Sequence, residues 1–62
     1  MMEEDLRQLL KDQGWNLFTR QRRGRDYLYA QKWRKGEIYI APKTGLETIT
    51  KEKILEKIAA QN

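Results

Sequence analysis

The sequence predicts a small single α+β domain, residues 1–62, built as a three-stranded antiparallel β-meander with a helix before it and a helix after it, α-β-β-β-α. Three observations predict this. Leucines at helical spacing fill the first turns of the chain, aromatic and β-branched residues alternate between Trp15 and Ala41 with glycines between the runs, and a second amphipathic stretch follows Thr50.

The first helix is expected over residues 3–13. Leu6, Leu9 and Leu10 recur at i, i+3 and i+4, Met2 extends the stripe by a turn, and Glu3, Glu4 and Asp5 sit where the helix dipole favours negative charge. Gly14 supplies a stop. With an acidic first turn and a narrow stripe, core packing suits this helix better than membrane or partner binding.

Strands are expected near Trp15–Arg22, Tyr27–Trp33 and Glu37–Ala41, with Gly24 and Gly36 in hairpin loops of three to five residues. Pro42 ends the third strand, since it has no N–H to give a ladder. Leu46 and Ile49 then tack the following loop to the core. Thr50 is an N-cap candidate, Glu52 falls in the first turn, and Ile54, Leu55, Ile58 and Ala59 share a face.

Composition narrows the chemistry. Cysteine, histidine and serine are all absent, which removes thiolate metal sites, the commonest general base and the commonest hydroxyl nucleophile. The four glycines have neither phosphate-loop nor dinucleotide spacing. A non-enzymatic protein with no cofactor is expected. With no apolar run long enough for a bilayer and an acidic start, Met-Met-Glu-Glu-Asp, a soluble cytoplasmic protein with no membrane partner is expected.

Charge is unevenly placed. Arg20 to Lys35 holds seven Lys/Arg against a single acidic residue, Asp26, while the rest of the chain is net acidic. Arg20, Arg22, Arg23 and Arg25 surround Gly24, and Lys32, Arg34 and Lys35 precede Gly36. Such cations are solvated or bound to an acidic partner. Tyr27, Tyr29 and Trp33 are interleaved with them, and Tyr39 follows. Cations for phosphates and rings for bases are the footprint of nucleic-acid binding.

Strand parity divides the residues into two sets. Trp15, Leu17, Thr19, Leu28, Ala30, Ile38 and Ile40 form one, mostly aliphatic; Phe18, Arg20, Arg22, Tyr27, Tyr29, Gln31, Trp33, Glu37, Tyr39 and Ala41 form the other, aromatic and basic. If both helices cover the first set, the second is an exposed binding surface; if one helix covers each, the rings are core. Parity alone leaves both open.

The run from Tyr27 to Ile40, Tyr-Leu-Tyr-Ala-Gln-Lys-Trp-Arg-Lys-Gly-Glu-Ile-Tyr-Ile, with Thr50-Lys51-Glu52-Lys53-Ile54 after a short loop, resembles the N-terminal arm-type DNA-binding domains of tyrosine recombinases. The resemblance covers about residues 15–60. Those domains, similar to plant AP2 modules, lay a three-stranded sheet in the major groove and back it with a C-terminal helix. The resemblance implies DNA contacts at Arg20, Arg22, Lys32 and Arg34, and a backing helix at Ile54, Leu55 and Ile58.

The expectation for function is therefore a nucleic-acid-binding module, DNA favoured over RNA, acting through Arg20, Arg22, Arg23, Arg25, Tyr27, Tyr29, Lys32, Trp33, Arg34, Lys35 and Tyr39. The alternative is an interaction module or accessory subunit that binds an acidic protein through the same residues. Either could act as a monomer or, through an open sheet edge, as a homodimer.

Overall fold

The computed structural model of the chain describes residues 1–61 and orders them as α1 (Glu3–Asp12), β1 (Asn16–Arg22), β2 (Arg25–Lys32), β3 (Gly36–Pro42), a 3-10 turn (Lys43–Thr48) and α2 (Lys51–Ala59). The strands pair antiparallel in the order β1-β2-β3, giving the expected α-β-β-β-α meander. No helix among the described residues is long and apolar enough to cross a membrane.

α1 begins with Glu3, Glu4 and Asp5 at its positive end and closes in a Schellman motif. The Trp15 N–H donates to the Leu10 carbonyl at 2.8 Å and the Gly14 N–H to the Lys11 carbonyl at 3.0 Å. That geometry needs a left-handed residue, and Gly14 has φ +84°. Leu10 and Trp15, the apolar pair that accompanies such a cap, are both buried. At the other end of the chain, the Thr50 hydroxyl accepts from the Lys53 N–H at 3.2 Å and caps α2.

The first hairpin is tighter than the sequence suggested, while the second has a three-residue loop as expected. Arg22 pairs with Arg25, so the first loop is only Arg23 and Gly24, at φ +52° and +76°. Positive φ at both positions is what a type I′ turn requires, and its twist matches that of the strands. The second loop is Trp33, Arg34 and Lys35, with the Lys35 N–H donating to the Lys32 carbonyl at 3.0 Å. Trp33 thus belongs to a turn and not to the second strand.

The two helices lie on the same side of the sheet. Leu6 and Leu10 of α1, Ile54 and Ile58 of α2, Trp15, and Leu46 of the 3-10 turn enclose Leu28, Ala30, Ile38, Ile40 and Ala41 in one cluster. Leu17 and Ile49 pack on its margin. The aliphatic parity is therefore the core. Ala41 changes sides because β3 carries a bulge: Leu28 pairs with Ala41 but Tyr29 with Tyr39, which leaves Ile40 as an extra residue. Ile40 and Ala41 both turn inward, and Pro42 emerges opposite Tyr27 on the uncovered face. Met2 and Ala59, expected on helix core stripes, are exposed, because the core cluster is filled by Leu6, Leu10, Ile54 and Ile58.

Replacing Gly14 forces a left-handed side chain whose Cβ would stand 3.3 Å from Lys32 Cε. Gly14→Ala is expected to destabilise the fold by about 1 kcal/mol, a fall in Tm of roughly 4–8 °C by thermal circular dichroism.

Candidate nucleic-acid interface

With both helices on one side, the other face of the sheet is open, and the strand register arranges it in cross-strand rows. At the first hairpin Arg22 faces Arg25. Next come Arg20, Tyr27 and Pro42, then Phe18, Tyr29 and Tyr39, and last Asn16, Gln31 and Glu37. The face grades from cationic through aromatic to polar.

The aromatic row is a packed ladder. Phe18 and Tyr29 stack with centroids 5.6 Å apart, Tyr29 meets Tyr39 edge-on at 5.4 Å, and Tyr27 leans on Tyr39 at 6.4 Å. Phe18, Tyr27 and Tyr29 are half-buried by one another, whereas Tyr39 is 43% exposed. Such pairs stabilise a sheet by about 0.5–1.5 kcal/mol each. Desolvation, then the neighbouring Tyr27 and Tyr29, raise the Tyr39 hydroxyl above its ordinary value.

Arg20 lies flat across this ladder. Its guanidinium carbon is 4.7 Å from the Tyr29 ring centroid and 5.3 Å from that of Phe18, and it donates to Glu37 Oε1 on β3 at 3.1 Å. One cation of the basic segment is thereby neutralised inside the fold. Lys32 is also spoken for. It shares parity with Leu28 and Ala30, so it points to the helix side, where its amine donates to the Gln13 carbonyl at 3.4 Å beside the negative end of α1. The expectation that Lys32 joins the binding face is corrected: β-strand alternation places it on the opposite one.

The remaining cations, Arg22, Arg23, Arg25, Arg34 and Lys35, form no ion pair among the described residues. Their placement is costly. Arg22 and Arg25 stand directly opposite each other, a repulsive arrangement in a sheet, and Arg23 and Arg34 occupy left-handed backbone that Asn or Gly adopts at less cost. Arg22 and Arg23 rim a hollow of about 490 Å³ floored by Tyr27, Tyr29 and Tyr39. A second hollow of about 740 Å³, lined by Arg25, Tyr27, Pro42, Lys43 and Thr44 among others, lies on the other side of Tyr27.

The structure thus brings Arg20, Arg22, Arg25, Tyr27, Tyr29 and Tyr39 onto one face, with Arg23 at its first turn and Trp33, Arg34 and Lys35 at its second. Pro42, Lys43 and Thr44 were missed by the parity argument because the bulge, which sequence alternation does not reveal, swings Pro42 outward. No cluster of carboxylates that could hold a metal ion occurs among the described residues.

Arg23→Asn converts the first loop to Asn-Gly, the preferred type I′ pair. It is expected to raise stability by about 0.5–1 kcal/mol in urea unfolding while weakening binding of any polyanion. Tyr29→Ala, which removes the ring shared by Phe18, Tyr39 and Arg20, is expected to cost about 2 kcal/mol in the same assay. Comparison with known proteins adds no relative: no protein-family model matches the chain, and neither the curated proteins nor the solved structures give a match.

Proposed function

We propose that the chain is a non-enzymatic nucleic-acid-binding module that lays a single strand across the open face of its sheet. The observation that carries this reading is the coincidence, on the one face no helix covers, of a tyrosine ladder and a group of cations without acidic partners. Phosphates would lie against Arg22, Arg23 and Arg25 at one end and Arg34 and Lys35 at the other. Bases would meet the rings of Tyr27, Tyr29 and Tyr39.

The resemblance to arm-type domains favours the same face but duplex DNA as its ligand. The tyrosines favour a single strand instead. A ring face gains most from an unstacked base, which a duplex groove does not offer, and a groove-reading sheet presents hydrogen-bonding side chains along its length. Here the row that crosses all three strands at the centre of the face is Phe18, Tyr29 and Tyr39, rings in place of groove-reading amides or guanidines. The same Tyr and Arg residues would also serve an acidic protein partner, but the unpaired cations at both ends of the sheet suit a repeating anion better.

Fluorescence anisotropy of labelled single-stranded DNA, single-stranded RNA and duplex DNA tests the proposal. Single strands are expected to bind, and contacts to about four phosphates would weaken binding roughly 50-fold between about 50 and 200 mM salt. Replacing Arg22 and Arg23 together by Glu is expected to reduce affinity at least about tenfold with little change in the thermal melt, since both are exposed. Absence of binding at the lower salt, or binding indifferent to salt, would refute the proposal.

A further inference from the structure

We infer that the end of the open face beside Trp33 is a nucleobase-reading subsite, taking one unstacked base that carries an exocyclic amino group, as adenine, cytosine and guanine do and thymine and uracil do not; the inference rests on the single-strand reading above. Trp33 is 85% exposed, the most exposed large apolar side chain among the described residues, and it contributes no ring to the Phe18–Tyr39 ladder. It lines a hollow of about 440 Å³ together with Asn16, Gln31, Lys32, Arg34 and Glu37.

The floor of that hollow is the fourth cross-strand row. Asn16 is opposite Gln31, and Gln31 is opposite Glu37, so two carboxamides and a carboxylate lie side by side across all three strands. Neither carboxamide has a hydrogen-bond partner among the described residues. Elsewhere on the face the side chains are rings, which stack on any base, and arginines, of which Arg20 is already engaged with Glu37. This row alone carries two carboxamides and a carboxylate, the groups that accept from a base amino group.

The chemistry of the row sets the preference. Glu37 accepts hydrogen bonds and cannot donate them, so it favours a base edge carrying an exocyclic amino group, as in adenine, cytosine and guanine, and repels the 4-carbonyl of thymine or uracil. Arg20, 3.1 Å from Glu37 Oε1, offsets its charge so that a nearby phosphate is tolerated. Asn and Gln add a donor and an acceptor each. The Trp33 ring supplies a stacking surface, and Arg34 and Lys35 follow it in the turn to meet the adjoining phosphate.

Short homopolymers of dA, dC and dT titrated into the full chain test this, with anisotropy reporting affinity and tryptophan emission reporting the subsite. Trp15 is 1% exposed, so quenching on binding reports Trp33 and is expected to vanish in Trp33→Phe. The dA and dC strands are expected to bind about tenfold tighter than dT in wild type. Glu37→Gln, which gives the acceptor-only side chain a donor, should reduce that gap to about threefold or less without weakening dT. Trp33→Ala should weaken all three about tenfold, with the thermal melt unchanged. Equal affinities, a base preference that survives Glu37→Gln, or binding without quenching would overturn the subsite while leaving the single-strand reading intact. Failure of all three homopolymers to bind would overturn both.

Discussion

Both helices pack on the same face of the sheet, and that one-sided burial decides the character of everything else. Leu28 and Ala30, at the centre of the middle strand, meet Leu6, Leu10, Ile54 and Ile58 from above, so the alternate residues of β2, Tyr27, Tyr29 and Gln31, are committed to the other side. Among the described residues no further element covers them. The rings therefore cover one another. A tyrosine ladder arises as the response of an uncovered sheet face to water: aromatic pairs across strands recover part of the burial that a third helix would have given, and Arg20 roofs them with its guanidinium plane.

This makes the open face both structural and available, and the two roles are divided among residues. Phe18, Tyr29 and Arg20 sit in the interior of the ladder and chiefly hold the sheet together. Tyr39 and Trp33, exposed by 43% and 85%, contribute less to the fold than their size allows. Large apolar surface left in water on so small a protein is where a ligand gains most on contact. The cations of the basic segment follow the same division: Arg20 and Lys32 are engaged with Glu37 and the Gln13 carbonyl, and Arg22, Arg23, Arg25, Arg34 and Lys35 form no ion pair among the described residues.

Much of the architecture was legible in the sequence because local rules and global packing agree. The helical leucines, Gly14 at the cap, Thr50 before α2 and the alternation of strand residues each predicted an element that exists, and helix placement on the aliphatic parity settled which set is core. What alternation could not convey was any shift in its own phase. The bulge at Ile40 reverses the facing of Ala41 and Pro42, and nothing in Ile-Tyr-Ile-Ala-Pro signals it. The first hairpin loop departs from expectation for a related reason. Arg-Gly is a poor type I′ dipeptide, so the two-residue loop is dictated by the pairing of the strands and not by the preference of Arg23. Lys32 and Trp33, both read as binding residues, diverge because alternation turns Lys32 to the helix side and the strand ends before Trp33.

The misfit at the hairpins bears on function as well as on prediction. A turn selected for stability alone would carry Asn or Gly at position 23, and a threonine or carboxylate opposite Arg25 would remove the repulsion across the last pair of the ladder. The chain instead sets Arg22, Arg23 and Arg25 around a single tight turn, with no acid in contact. Each of these choices raises the free energy of the unbound protein, and each is relieved by the same thing, an anion lying across the turn. A ligand that binds only the folded state stabilises it in proportion to the logarithm of its concentration over Kd, so under the proposed function the strain at the tip of β1 and β2 would couple polyanion binding to fold stability. The cationic hairpin is thus the part of the molecule where the demands of folding and of the proposed binding are furthest apart.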